Sequence, residues 1–342
     1  MSEVPAGGVS DRPPVVLISE GLRPLAGPDP EWPAGAVSRF VPQGEEMPAE
    51  SECGPVVAIV PLVSRPLGEP ELSRYPGLRI IANYGVGHDN IDLTAAARRG
   101  VPVTNTPDVL TDATADLTWA LLLAAARRLR EGLDLARSGE WSGWRPDQLL
   151  GLDLRARTLG ILGAGRIGRA VALRARPFGM RIRYWSRSPS RELEADRAVR
   201  VNSLDDLLAT SEVVSVHLPL TPETRDLIGA AELGSMLPGS ILVNTARGPI
   251  VQMGPLIDAL RDGPLAAAGL DVYPEEPLIP AELRELPNAF ILPHLGSATR
   301  EARMGMWRLA AENVRRVLNG EPPATPVSEG QAESPPTPAG GS

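Results

Sequence analysis

One six-residue stretch near the middle of the chain, Gly163-Ala-Gly165-Arg-Ile-Gly168, restricts its fold more than any other feature. Directly before it, Thr158-Leu-Gly-Ile-Leu162 reads as a buried strand, and after it Ile167, Ala170, Val171, Ala175 and Phe178 give a helical apolar face. A strand that turns through three spaced glycines into a helix is the opening turn of a doubly wound parallel sheet that binds a dinucleotide. Gly163 permits the tight turn, Gly165 lets the backbone approach a pyrophosphate, and Gly168 allows the helix to pack close to the strand. The helix start adds unpaired N–H groups and the positive end of its dipole.

The end of the following strand, Arg181 to Trp185, should read the ribose. A site for NAD carries an acid there, to accept bonds from the 2′-hydroxyl. This chain has Ser186-Arg187-Ser188 and no acid. Ser186 can donate a hydrogen bond and Arg187 can bind a 2′-phosphate as a charged fork, which favours NADP(H). If Arg187 is only a solvated loop residue, NAD(H) is accepted as well.

The same α/β alternation extends through most of the 342 residues, enough for about two domains. Val15 to Ser19, Val56 to Pro61, Leu78 to Tyr84 and Val101 to Asn105 read as strands of a first series. Val213 to His217, Ser240 to Asn244, Ala267 to Asp271 and Phe290 to Pro293 continue the second, and a helix follows from Arg300 to Leu318. Between the two series Thr111 and Asp112 offer caps to a long helix that is apolar on most sides. Two readings of that helix stay open: a buried core element, or one pressed against a second subunit. From Glu321 the chain turns rich in Pro, Ser, Gly and Glu, the composition of a disordered tail.

Composition narrows the chemistry. The longest apolar run, Trp119 to Ala126, is 8 residues, far short of the roughly 20 that cross a bilayer, so no membrane association is expected. No signal peptide is readable in Met1 to Pro14. The formal charge of −8 argues against nucleic acid as a partner. Cys53 is the only cysteine, so neither a disulfide framework nor a cysteine metal cluster is expected, and a reducing cytoplasm is the default location. Every basic residue is arginine, which removes Schiff-base chemistry and the lysine of a P-loop. Only His88, His217 and His294 titrate near neutral pH by residue type.

Three residues at or after strand ends then stand out: Arg247 in Val243-Asn-Thr-Ala-Arg247-Gly248, Glu276 in Asp271-Val-Tyr-Pro-Glu-Glu276-Pro277, and His294 in Leu292-Pro-His294-Leu-Gly. Singly they read as a surface arginine, a loop carboxylate and a structural histidine. Together they place an arginine, a carboxylate and a histidine at strand ends, downstream of a nucleotide fold.

With these motifs, and with Asn83-Tyr-Gly-Val-Gly87-His-Asp-Asn-Ile-Asp92, Asn105-Thr-Pro-Asp-Val-Leu-Thr-Asp-Ala-Thr114 and Pro293-His294-Leu-Gly-Ser-Ala-Thr299, the chain resembles the D-isomer-specific 2-hydroxyacid dehydrogenases from about Val15 to Pro322. Within them it looks most like the glyoxylate/hydroxypyruvate reductases. The resemblance implies two Rossmann-like/flavodoxin-like α/β domains with parallel sheets and the active site in the cleft between them. A substrate-binding domain would span 14–107 plus 294–321, and a dinucleotide-binding domain 108–293, between disordered ends at 1–13 and 322–342. It implies reduction of a small 2-oxo acid to the 2-hydroxy acid, with catalytic residues on Arg247, Glu276 and His294. Amides of Val86 and Gly87 would join Arg247 on the substrate carboxylate. Cofactor contacts would fall on Gly163, Gly165, Arg166, Ile167, Gly168, Ser186, Arg187, Ser188, Leu218, Pro219, Thr245, Asp271 and Gly296, with Asp271 on the nicotinamide carboxamide, and no metal is implied. A homodimer built around the helix from Thr111 to Arg130 is implied as well. Trp141-Ser-Gly-Trp144 either caps the substrate pocket or packs an interface.

Other members of the family, acting on 3-phosphoglycerate, D-lactate or phosphite, are the nearest alternatives; the phosphite enzymes place a lysine where this chain has Val86. A dinucleotide-sensing corepressor of the same fold is the alternative of a different class. The chain departs from its relatives at Gln252-Met253-Gly254-Pro255, where they begin a helix with an acidic pair.

Overall fold

The computed structural model describes residues 12–27 and 31–327. The described chain falls into two units, one ending at Leu110 and resumed from Thr299, the other running from Thr111 to Ala298.

The first unit is built on β1 (Val15–Ser19), β2 (Val37–Val41), β3 (Val56–Val60), β4 (Ile80–Ala82) and β5 (Val103–Thr104), in the order β2-β1-β3-β4-β5. Every pairing is parallel. Strands β1, β3 and β4 are buried almost throughout, which is why they read as unbroken apolar runs. Strand β2 was not expected: as an edge strand it carries Ser38 and Arg39 between its apolar residues and leaves most of its length partly exposed. One face of the sheet packs on Leu72, Tyr75, Ala95 and Ala96. Helix Arg300–Leu318 packs against β3 and β4. Thr299 caps this helix by accepting from Ala302 N at 3.1 Å.

Of the tail expected to be disordered from residue 322, residues 322–327 are held in place. Pro326 pairs with Thr104 as an antiparallel bridge, and Val327 N donates to Val103 O at 2.8 Å. The rest of that tail, and residues 1–11 of the expected N-terminal one, lie outside the described residues.

The second unit carries β6 (Thr158–Leu162), β7 (Arg181–Trp185), β8 (Val199–Arg200), β9 (Val213–Val216), β10 (Ser240–Asn244), β11 (Leu265–Leu270) and β12 (Ala289–Ile291), in the order β12-β11-β10-β9-β6-β7-β8. All are parallel. Strand order reverses between β6 and β9, and it is at the carboxyl ends of strands beside such a switch that open α/β sheets bind ligands.

The apolar helix Thr111–Ala126 packs on β10, β11 and the helix Arg166–Leu173, burying Thr114, Ala115, Thr118, Trp119, Leu121 and Leu122 among others. It is a core element of its own unit. The Trp119 ring stacks on Phe178 at 4.4 Å and its Nε1 donates to Val171 O. The helix does not run on to Arg130. Arg128 takes a left-handed conformation at φ 51°, and a second helix, Leu129–Ser138, starts after it. That helix buries none of its residues. At the departure noted above, helix Met253–Arg261 begins without an acid in its first turn and without a side-chain cap from Gln252. No helix among the described residues is long and apolar enough to cross a membrane.

Candidate active site

The carboxyl ends of the seven-stranded sheet gather most of the candidates. After β6, Gly163 turns at φ 102°, and a Cβ on Gly168 would lie 2.0 Å from Gly163 O, so the helix Arg166–Leu173 can approach only with glycine there. A Cβ on Gly165 would meet nothing within 4 Å. The loop therefore presents open space beside the amino end of that helix, a fit for a pyrophosphate. Arg166 and Ile167 form the first helical turn. After β7 come Ser186, Arg187 and Ser188; after β9, Leu218 and Pro219; after β10, Thr245; after β11, Asp271; and after β12, Gly296.

Two supports of the loop after β7 escaped the sequence. Arg200, on edge strand β8, donates from Nη2 to the carbonyls of Ser186 and Arg187 at 2.9 and 2.8 Å. In a trans peptide the N–H points opposite the C=O, so the amides of Arg187 and Ser188 are turned away from Arg200. The Tyr184 hydroxyl accepts from Ser190 N at 2.9 Å and donates to Glu194 at 2.6 Å, fixing the far end of the loop.

His294 and Glu276 meet: Nδ1 of the ring lies 2.7 Å from Glu276 Oε2. The other carboxylate oxygen accepts from Tyr273 N at 3.1 Å. Burial pushes the Glu276 carboxyl up, but the hydrogen bond and charge of His294, the Tyr273 amide and the charge of Arg247 together hold it below its ordinary value. His294 has φ 56°, a left-handed conformation that a non-glycine residue adopts only when its surroundings enforce it. Those surroundings are Asp271, whose backbone oxygen accepts from His294 N at 3.0 Å and whose carboxylate accepts from Leu295 N and Gly296 N at 2.7 and 2.8 Å. Asp271 is fully buried, and burial raises its carboxyl against those amides.

Arg247 follows β10. Asn244 clasps its loop, donating from Nδ2 to Arg247 O at 3.0 Å and accepting from Ala246 N at 3.0 Å, while the guanidinium donates to Ala246 O at 2.8 Å. Gly248 lies flat on the Tyr273–Pro274 backbone that leads to Glu276; a Cβ there would sit 1.9 Å from the Tyr273 carbonyl carbon. Gly248→Ala is expected to cost about 3 kcal/mol or more, since backbone cannot yield as a flexible side chain would. A thermal or urea melt of the variant checks this.

Of the other histidines, His217 bonds Ser215 Oγ through Nε2 at 2.8 Å, and burial pushes it down to about 3. It is therefore neutral at pH 7 and unsuited to donate a proton. His88 lies in the first unit, in the loop after β4.

In that loop, three successive carbonyls are pinned by hydrogen bonds. Gly85 O accepts from Thr106 N at 3.0 Å, Val86 O from Asn105 Nδ2 at 2.9 Å and Gly87 O from Asn83 Nδ2 at 2.7 Å. The amides of Val86 and Gly87, each antiparallel to a pinned carbonyl, are thereby turned the other way. Asn83 and Asn105 had no assigned role in the sequence reading; an asparagine just beyond each of two neighbouring strands was the available signal. Tyr84 is buried, with its hydroxyl on Arg303 O. Trp141 and Trp144 are 58% and 80% exposed.

A glycine loop beside a helix start and a carboxylate-bonded histidine on one sheet are the parts of an oxidoreductase that uses a nicotinamide dinucleotide and acts on CH–OH donors. A profile described as the NAD binding domain of D-isomer specific 2-hydroxyacid dehydrogenases matches residues 119–296, and the chain belongs to that family. It is 49% identical over 295 residues to a glyoxylate reductase of Thermococcus kodakarensis, covering 84% of this chain and 89% of that one. A glyoxylate reductase of Aeropyrum pernix is 53% identical over 262 residues, 75% of this chain and 78% of that one. Among solved structures, an NADPH-dependent glyoxylate/hydroxypyruvate reductase from Sinorhizobium meliloti, in complex with NADP and malonate, superposes with a TM-score of 0.84 at 32% identity, over 96% of this chain and 100% of that one.

Proposed function

We propose that this chain reduces glyoxylate and hydroxypyruvate to glycolate and D-glycerate, with NADPH preferred over NADH. The 2.7 Å contact between His294 Nδ1 and Glu276 carries the reading, because it leaves Nε2 as the nitrogen that gives up a proton. Arg247 and the amides of Val86 and Gly87 hold the substrate carboxylate, and Arg247 also polarises the carbonyl to be reduced. When bound, the nicotinamide supplies the hydride to substrate C2. His294, as imidazolium, protonates the oxygen on which negative charge grows, and Glu276 keeps the ring oriented. Asp271 has acceptor capacity beyond its two loop amides and bonds the carboxamide of the cofactor.

The NADPH preference rests on Ser186 as a hydrogen-bond donor and Arg187 as a charged fork for a 2′-phosphate, in a loop whose carbonyls Arg200 holds. The name of the Sinorhizobium neighbour agrees with it. We assign the active protein to the reducing cytoplasm and to a homodimer. Leu129, Leu133, Trp141, Trp144 and Leu150, all more than half exposed, are the apolar side chains a second copy would cover.

Initial rates with each oxo acid and each cofactor, followed at the nicotinamide absorbance, test the proposal. NADPH is expected to be oxidised fast and NADH slowly. Arg187→Ala is expected to raise the KM for NADPH roughly ten- to hundredfold, the worth of a charge-assisted contact, and to leave NADH nearly unchanged. An NADH preference in the unmodified enzyme rejects the cofactor assignment. Inactivity on every small 2-oxo acid, together with binding of a peptide, would favour a corepressor-like role.

A further inference from the structure

The segment after the last helix bonds to Asn105, the residue whose side chain holds Val86 O. Asn313, fully buried in helix Arg300–Leu318, accepts from Ala324 N and Thr325 N at 2.8 and 3.1 Å and donates from Nδ2 to Thr325 Oγ1 at 2.9 Å. Thr325 Oγ1 passes a hydrogen bond on to Asn105 O at 2.7 Å, and Asn105 N donates back to Thr325 O at 3.3 Å. The Asn105 side chain then pins Val86 O at 2.9 Å, and with it the direction of the Gly87 amide. Four residues thus form one relay from a buried helix position to the loop whose amides face the substrate. Loops hold anions well only when their donors are fixed in advance, because donors that must be reoriented on binding weaken it.

We propose that Thr325 is a positioning residue for the substrate carboxylate, acting through Asn105 on the Val86–Gly87 peptide. This rests on the reading that those amides hold the carboxylate. The segment is therefore a working part of the substrate-binding unit, a use its Pro-rich composition does not announce.

Thr325→Val keeps the shape and removes the hydroxyl; Thr325→Ser keeps the hydroxyl. In the full-length enzyme, Thr325→Val is expected to raise the KM for glyoxylate roughly three- to tenfold, the effect of one lost hydrogen bond, and to leave the KM for NADPH unchanged. Thr325→Ser is expected to match the unmodified enzyme. An unchanged glyoxylate KM in Thr325→Val, or an equal rise for both substrates, overturns the proposal. Val86→Pro, which deletes one of the two amides, separates the failures. If it too leaves the glyoxylate KM unchanged, the carboxylate reading itself falls. If it raises that KM while Thr325→Val does not, only the role of Thr325 falls.

Discussion

Replacing His294 by asparagine is expected to lower kcat for glyoxylate reduction by about 10²- to 10⁴-fold, the usual cost of losing a positioned acid–base. Asparagine is the informative substitution because His294 sits at φ 56°, where asparagine is tolerated and alanine is strained. The Asp271 bonds to the backbone amides of residues 294–296 survive the change, so the loop keeps its shape. NADPH binding, read by fluorescence titration, is expected to persist. Near-normal turnover in this variant would remove His294 from the chemistry. The companion Glu276→Gln retains a side chain that can bond the ring at Nδ1 but lacks the carboxylate charge, so its kcat is expected to fall less than that of His294→Asn.

Much of the scaffold could be read before any coordinates. The central strands of both sheets are buried on two faces, so β1, β3, β6 and β9 show as apolar runs with turn residues at their ends. Two of the four edge strands lack that signature: β2 alternates exposed and half-buried residues, and β8 is two exposed residues long. The break at Arg128 was equally silent, since it lacks glycine and proline and is held by a two-bond contact to Glu131. At the site, Arg247, Glu276 and His294 announced themselves as reactive residue types at strand ends. Their supports did not. Asn105 reaches a carbonyl 19 residues away and Thr325 one 220 residues away, and neither pairing leaves a local pattern. Candidate residues were legible where chemistry demands a residue type, and their supports were illegible where only a correctly aimed peptide is needed.

Arg247→Met is expected to cost about 10²- to 10³-fold in kcat/KM for glyoxylate, because a carboxylate brought out of water would face no opposite charge. The KM for NADPH should change little, since Arg247 follows β10 and lies outside the glycine loop. Arg247→Lys restores charge but loses the planar two-pronged donor, so it should recover only part of the loss. The pair of variants also separates charge from shape through Glu276. The charge of Arg247 helps hold the Glu276 carboxyl below its ordinary value of 4.5. A lowered carboxyl contributes above its unfolded value and loses that contribution as pH falls through the folded one. Removing the positive charge raises the folded value, so activity in Arg247→Met should begin to fall at a higher pH on the acid side. Arg247→Lys should keep the acid limb near that of the unmodified enzyme while its kcat/KM stays depressed. If both variants keep the rate and the acid limb of the unmodified enzyme, Arg247 acts by neither route, and the substrate anchor must be sought elsewhere.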